Sequence, residues 1–366
     1  MEQYLRLLDI IKAHGTDKPA ARQGMPGTRS LFGYQLRHDL SNGFPLLTTK
    51  KIKFKHIVTE LMWFLRGDTN IKYLVDNNCN IWNEDAYNYY TQVVNKTQGK
   101  DEFKMSYDEF VQHVKDGTVD NHLYKYPSFK LGDCGHQYGR VWRNFGDDTE
   151  YSGTDQILEL IKRLKKSPES RRHILTSIDP ANDTDLALYW CHCTVQFNCR
   201  PLTFEQKIKW VMKNRSIDLE NVAITEEAAS SRTPNYYLDC QMYQRSADVF
   251  LGVPYNIASY ALLTHILATL CNMVPGEYVH TFGDVHIYDD HNEAVNEQLT
   301  RTPNKLPKLY INDEFWNPEN VLFDDITKLS SQKLTEFVNS WKYEDFDLVG
   351  YDPQSLIKAK LSTGLK

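Results

Sequence analysis

Cys191-His192 sets a thiol beside an imidazole. Downstream, the run Tyr243-Gln244-Arg245-Ser246-Ala247-Asp248-Val249-Phe250-Leu251-Gly252 brings an arginine, a hydroxyl and a carboxylate within five residues, before the chain turns apolar. A thiolate is the nucleophilic form of cysteine and nearby cations favour it, while a guanidinium beside a hydroxyl suits a phosphate. Together the two runs point to covalent chemistry on a phosphorylated small molecule. The competing reading of Cys191 is a buried structural thiol. The β-rich run that follows it, the adjacent His192 and the arginines elsewhere favour the nucleophile.

Other residues carry paired readings. Arg171-Arg172 follows Pro168-Glu169-Ser170 at a turn into a strand. Within a strand the two would face opposite ways and read as a solvated pair; at a turn both could reach one dianion, as Arg245 and Ser246 could. Glu60 sits among Leu61, Met62, Trp63 and Phe64, either as an exposed ion-pair partner or as a partly buried carboxyl with a raised pKa suited to moving protons. Asn256 could cap the helix that begins near it, or present one donor and one acceptor to a planar heterocycle. Cys193 and Cys199 near Cys191, and the trio His280, His286 and His291, do not have zinc-ligand spacing, so no metal is expected.

Several elements must hold these groups in place. Phe54, Val58, Leu61, Met62 and Leu65 recur at helical spacing across Ile52–Gly67, with Gly67 as the stop. A second helix is expected over Asp155–Lys166, with Pro168 beyond it. Ile174–Ile178, Thr194–Cys199 and Leu309–Ile311 read as strands. Asn256–Val274 is apolar on nearly every face and reads as a buried helix ending at Pro275-Gly276. Residues 86–130, 203–236 and 313–342 look like additions to a compact core, each long enough to have structure of its own.

Bulk properties narrow the class. A chain of 366 residues can bury a full core, and 41% hydrophobic with 25% charged residues is ordinary for a soluble globular protein. A net charge of −6 argues against general nucleic-acid binding. Neither a signal-peptide core nor a bilayer-spanning run is visible, and the seven cysteines are too irregular for a disulfide framework, so a cytoplasmic location is expected.

Taken in order along the chain, these motifs make it resemble the thymidylate synthase family. The resemblance rests on Gly43-Phe44-Pro45-Leu46-Leu47-Thr48-Thr49-Lys50, the Glu60 helix through Gly67-Asp68-Thr69-Asn70, and Ile81-Trp82. It continues through Tyr138-Gly139-Arg140-Val141-Trp142-Arg143, Ser170-Arg171-Arg172, Cys191-His192 with Gln196-Phe197, and the run from Gln244 to Tyr260. Gly283-Asp284-Val285-His286-Ile287-Tyr288 and Gly350-Tyr351-Asp352-Pro353 complete it. The resemblance implies one catalytic domain over 1–366, interrupted by the three additions, with an α+β fold. That fold is a mixed β-sheet flanked by helices, with sheets packed face to face across a homodimer. The implied substrates are deoxyuridine monophosphate (dUMP) and 5,10-methylenetetrahydrofolate, with no metal.

By matched position, Cys191 would attack C6 of the pyrimidine, with His192 beside it. Glu60 would move protons through water, Tyr138 would assist loss of the C5 proton, and Asn256 would read the base. Arg22, Gln244, Arg245 and Ser246, with Arg171 and Arg172 of the partner subunit, would hold the nucleotide, and His286 and Tyr288 the sugar hydroxyl. Lys50, Trp82, Asp248, Gly252 and Tyr351 would face the folate, Asp248 also serving substrate and catalysis. Guanidiniums near Cys191 are expected to lower its pKa.

Four departures stand out. The loop Arg22-Gln23-Gly24-Met25-Pro26-Gly27-Thr28 is one residue longer than the family's. Tyr189-Trp190 precedes the nucleophile where proline is usual, and Asp85 stands where some relatives carry tryptophan. The chain runs on through Leu361-Ser362-Thr363 to Gly364-Leu365-Lys366, past the point where relatives end on a small apolar residue that seals the site. A poorly sealed site would let water capture the transferred carbon, so a deoxyuridylate hydroxymethylase is the alternative expectation.

Overall fold

The computed structural model describes residues 1–20, 24–98, 105–118, 130–146, 153–214, 221–230, 233–312 and 329–360. Its helices are α1 (Glu2–His14), α2 (Phe54–Leu65), α3 (Lys72–Asp76), α4 (Asn83–Gln98), α5 (Tyr107–Asp116) and α6 (Tyr138–Arg143). They continue with α7 (Gln156–Lys166), α8 (Phe204–Asn214), α9 (Asn221–Ala229), α10 (Gly252–Leu270), α11 (Asn292–Leu299) and α12 (Ser331–Ser340). The strands are β1 (Thr16–Lys18), β2 (Thr28–Asp39), β3 (Ile174–Thr176), β4 (His192–Pro201), β5 (Tyr236–Asp248), β6 (Val274–Tyr288), β7 (Lys308–Ile311) and β8 (Phe346–Val349).

A six-stranded sheet in the order β1-β2-β6-β5-β4-β3 carries the site, and β7 pairs with β8 separately. Neighbours in the large sheet are antiparallel except β5 and β6, which run parallel. Parallel neighbours need a crossover, and α10 supplies it. Apolar on every side, α10 buries Val253, Ile257, Ala261, Leu262, Leu263, Ile266 and Leu267 against the sheet and α2. The expected mixed sheet flanked by helices is therefore present.

Some boundaries differ from the sequence reading. Helix α10 begins at Gly252, with Leu251 as its N-cap, so Asn256 lies inside the helix and does not cap it. It ends before Asn272, whose φ of 52° gives the left-handed turn that asparagine tolerates. Pro275-Gly276 lies inside β6 and stops nothing. The strand expected over Ile174–Ile178 ends at Thr176, whereas the stop at Gly67 and the helix expected over Asp155–Lys166 are present. Gly67 closes α2 with a φ of 75°, and Asp155 caps α7 by accepting from Leu158 N at 3.0 Å.

Asp155 also anchors the interior. Arg143 Nε lies 3.0 Å from both of its oxygens and Arg143 Nη2 lies 2.9 Å from Oδ2, while the same guanidinium donates to Leu65 O and to Thr335 Oγ1 at 3.0 Å. One buried pair thus ties α6, α7, α2 and α12 together. The three stretches read as additions all contain helices among the described residues. Tyr90 of α4, Phe110 of α5 and Leu334 of α12 join the main core, whereas Val211, Ile224 and Ala228 of α8 and α9 form a small core of their own. No helix among the described residues is long and apolar enough to cross a membrane.

Candidate active site

Cys191 immediately precedes β4, where the register against β5 slips between His192 and Thr194. Bulges of this kind re-aim side chains. Here the slip lets Arg245 N donate to Cys191 O at 2.9 Å, joining the two runs singled out in the sequence. The Arg245 guanidinium turns back over the same loop. Its Nε donates to Trp190 O at 2.7 Å, its Nη2 to Tyr189 O at 2.9 Å, and Nη2 stands 3.7 Å from Cys191 Sγ. It also lies 4.7 Å above the Tyr189 ring. Gly283 of β6 makes room for this arrangement, because a Cβ there would come within 2.7 Å of Arg245 O.

The thiol does not follow the sequence expectation. Burial pushes Cys191 above the ordinary cysteine range, and Arg245 only partly offsets this. Among the described residues Arg245 is the cation that favours the thiolate. Arg171 and Arg172 are exposed ahead of β3 and make no hydrogen bond to Cys191 or Arg245 among the described residues. Arg22 lies outside the described residues.

Tyr138 holds the backbone at Cys191. Its buried hydroxyl accepts from Cys191 N at 2.7 Å and from His192 N at 3.1 Å. Its ring stacks on His192 with centroids 5.0 Å apart. Burial lowers His192 to a pKa of about 4, although its hydrogen bond to the Asn256 side chain works the other way. His192 is therefore a neutral imidazole at ordinary pH. Asn256 Oδ1 in turn accepts from Gln244 Nε2 at 3.1 Å.

Glu60 points inward from α2 and accepts from Trp82 Nε1 at 2.7 Å. Burial raises its carboxyl to about 7 against the pull of that hydrogen bond. Of the two readings of Glu60, the partly buried carboxyl with a raised pKa is the one the geometry favours. Asp85, in the first turn of α4, is likewise raised to about 6 by burial and by Glu84. Lys50 is buried, and burial brings it down to about 7 against the opposing effect of Asp248. Its Nζ donates to Phe250 O and sits 3.4 Å from the centre of that ring.

Asp248 closes the end of β5. Its Oδ1 accepts from Phe250 N at 2.9 Å and Leu251 N at 3.2 Å, and lies 3.7 Å from His291 Nδ1. Burial depresses His291, yet Asp248, the Lys360 carbonyl and Asp290 together carry it above the ordinary histidine range. His291 Nε2 lies 2.7 Å from Lys360 O, so the chain up to that residue folds back beside the site. Residues 361–366, which hold the expected tail departure, lie outside the described residues.

In register beside Asp248 on β6 is His286, whose Nδ1 lies 3.0 Å from Asp284 Oδ1 and whose ring meets Tyr288 edge-on at 4.9 Å. Ser246 is half-buried one strand away. Gly252 lies between Asp248 and Asn256, where an added Cβ would make only ordinary contacts. Tyr351 accepts from Ile52 N at 3.0 Å and donates to Leu47 O at 2.9 Å, clamping the loop that carries Lys50. The sequence reading assigned no site role to His280 or His291, and neither had a spacing signal to reveal it. Among the described residues no group of three or more His, Cys, Asp or Glu side chains is arranged to hold a metal ion.

The arrangement offers a half-exposed thiol facing a fixed guanidinium, a half-buried carboxyl raised to about 7, and an amide aimed by its neighbours. Comparison with known proteins agrees with it. A sequence profile described as "Thymidylate synthase" matches residues 2–230 and 228–363. A protein of Staphylococcus haemolyticus named thymidylate synthase is 42% identical over 345 residues, covering 92% of this chain and 91% of its own. One of Mycoplasma mobile is 39% identical over 362 residues, covering 99% and 100%, and one of Listeria monocytogenes is 37% identical over 374 residues, covering 99% and 100%. Both carry the same name.

Proposed function

Because the chain belongs to the thymidylate synthase family, we propose that it transfers the one-carbon unit of 5,10-methylenetetrahydrofolate to C5 of dUMP and reduces it to a methyl group, forming dTMP and dihydrofolate. The observation that carries this reading is the Arg245 guanidinium, 3.7 Å from Cys191 Sγ and fixed there by two backbone carbonyls. It serves a thiolate and a nucleotide phosphate from one position. The folate supplies the methylene and then the hydride.

Cys191 adds to C6 of the uracil, and the displaced electron pair makes C5 nucleophilic with negative charge at O4. Asn256 donates to that oxygen where the charge develops. Glu60, titrating near 7, passes protons to and from the same edge through water. Tyr138 keeps the Cys191 and His192 amides in place and assists loss of the C5 proton. C5 bonds to the folate's methylene and gives up its proton, and the bond from that methylene carbon to the folate nitrogen breaks. Hydride delivered to the exocyclic methylene forms the methyl group as Cys191 leaves C6 and the ring regains its double bond. Ser246 and Arg245 hold the phosphate, with Arg22 completing that end, while His286 and Tyr288 hold the sugar hydroxyl. Lys50, Trp82, Asp248, Gly252 and Tyr351 line the folate side. Binding energy at the phosphate, far from the reacting carbon, serves alignment.

The protein works as a homodimer in this reading, with sheets packed face to face. The partner subunit's Arg171 and the partner subunit's Arg172 complete the phosphate site and add the positive potential that Cys191 lacks in one chain. Two features support this. Both arginines are exposed away from Cys191, and the open face of the sheet carries Phe32 at 84% exposure and Tyr243 at 39%. One catalytic domain spans 1–366, with α8 and α9 as an appendage, and its location is cytoplasmic.

The test is the product. Enzyme, dUMP and methylenetetrahydrofolate should give dihydrofolate absorbance and a nucleotide heavier by one CH2, a methyl group in place of the C5 hydrogen. A hydroxymethyl nucleotide with tetrahydrofolate, the outcome of an unsealed site, would overturn the reading.

A further inference from the structure

Gln244 is buried, and its two amide ends are tied in opposite senses. Its Oε1 lies 2.8 Å from His280 Nε2, and its Nε2 donates to Asn256 Oδ1 and Ser246 O, each at 3.1 Å. His280 is wholly buried on β6, stacked on Phe282 at 3.9 Å, and its Nδ1 has no hydrogen-bond partner. An amide oxygen has no proton to give, so the single proton of neutral His280 must sit on Nε2. Burial, with His192 and His38 nearby, holds the ring far below the ordinary histidine range and so keeps it neutral.

The consequence passes outward. With His280 donating to its oxygen, Gln244 must turn its NH2 toward Asn256. The Asn256 oxygen is then engaged by Gln244, the side chain is also hydrogen-bonded by His192, and its NH2 remains the group to offer to a ligand. We infer that His280 is a positioning residue for base selection: through Gln244 it holds Asn256 with its donor outward, which suits a pyrimidine with a carbonyl oxygen at C4 and rejects one with an amino group there. A 4-amino group would meet a second donor and leave both unpaired. The inference rests on the nucleotide reading above and deepens it by naming what sets the discrimination between uracil and cytosine.

The test compares dissociation constants for dUMP and dCMP by calorimetry in the wild type and three variants. His280→Phe removes the donor and should reduce the preference for dUMP about tenfold or more. His280→Gln keeps an N–H donor and should restore most of it. Gln244→Glu can only accept, so Asn256 must turn its NH2 inward, and relative affinity for dCMP should rise. Folded variants whose dUMP-to-dCMP ratio matches the wild type would overturn the inference while leaving the nucleotide reading intact. A wild type that binds no dUMP would sink both. Nitrogen-15 NMR of the wild type decides the matter without any variant: an Nε2–H signal from His280 supports the inference, and an Nδ1–H signal contradicts it.

Discussion

Arg245 Nη2 lies 3.7 Å from the sulfur of Cys191, and the same guanidinium is pinned to the carbonyls of Trp190 and Tyr189. A cation held by backbone cannot move away when the thiol is neutral, so its field acts on the sulfur throughout. Burial nevertheless wins in the single chain and leaves the thiol raised. Removing the cation should raise it further. In Arg245→Met, the pH profile of Cys191 alkylation should move upward and alkylation at neutral pH should slow severalfold. A profile unmoved from the wild type would show that Arg245 does not act on the thiol.

Glu60 has a folded-state pKa of about 7 against an ordinary 4.5, with burial as the cause. A carboxyl raised on folding favours the native state while protonated, and that advantage is lost as pH rises from about 4.5 through 7. Glu60→Gln cannot ionise, so it should gain stability relative to the wild type across this window, by up to about 3 kcal/mol, with no further gain above it. Its turnover should fall by about 10² to 10⁴. Denaturant titrations of both proteins at several pH values check the first point, and a constant gap would refute it.

Tyr138 offers one oxygen to two backbone amides, those of Cys191 and His192. Tyr138→Phe leaves both donors without that acceptor and should cost about 1–3 kcal/mol in unfolding free energy, with a loss of turnover as the nucleophile loses its support. A variant with unchanged stability would mean that the two amides find other partners.

Arg143 and Asp155 form a buried, doubly bonded pair joining four helices. Arg143→Met strands the Asp155 carboxylate and should destabilise the protein by about 3–5 kcal/mol, measured by chemical denaturation. A loss below about 1 kcal/mol would show that water reaches the carboxylate.

The parts of the site that were legible in sequence are those whose chemistry is local. Cys191 beside His192 and Glu60 inside an apolar helix need only their neighbours to be noticed. The sheet was harder. β6 is buried on both faces along much of its length, so it lacks the alternation that marks a half-buried strand, and Pro275-Gly276 at its start reads as a stop. The end of α10 was misplaced because the left-handed turn is made by Asn272, an unremarkable residue in the sequence. Asn256 stayed open between a cap and a base-reading amide because its partners Gln244 and His192 reach it from other strands. The net thiol pKa was out of reach for the opposite reason: arginines can be counted in sequence, but depth cannot.

The central claim is a covalent bond between the Cys191 sulfur and C6 of a uridine nucleotide. A dUMP analogue with fluorine replacing the C5 hydrogen permits that addition but blocks the later loss of the C5 substituent, so the adduct should persist in the presence of methylenetetrahydrofolate. Intact mass followed by peptide mapping should find one nucleotide per chain, attached at Cys191. Attachment at another residue, or turnover of dUMP by a Cys191→Ala protein, would contradict the account.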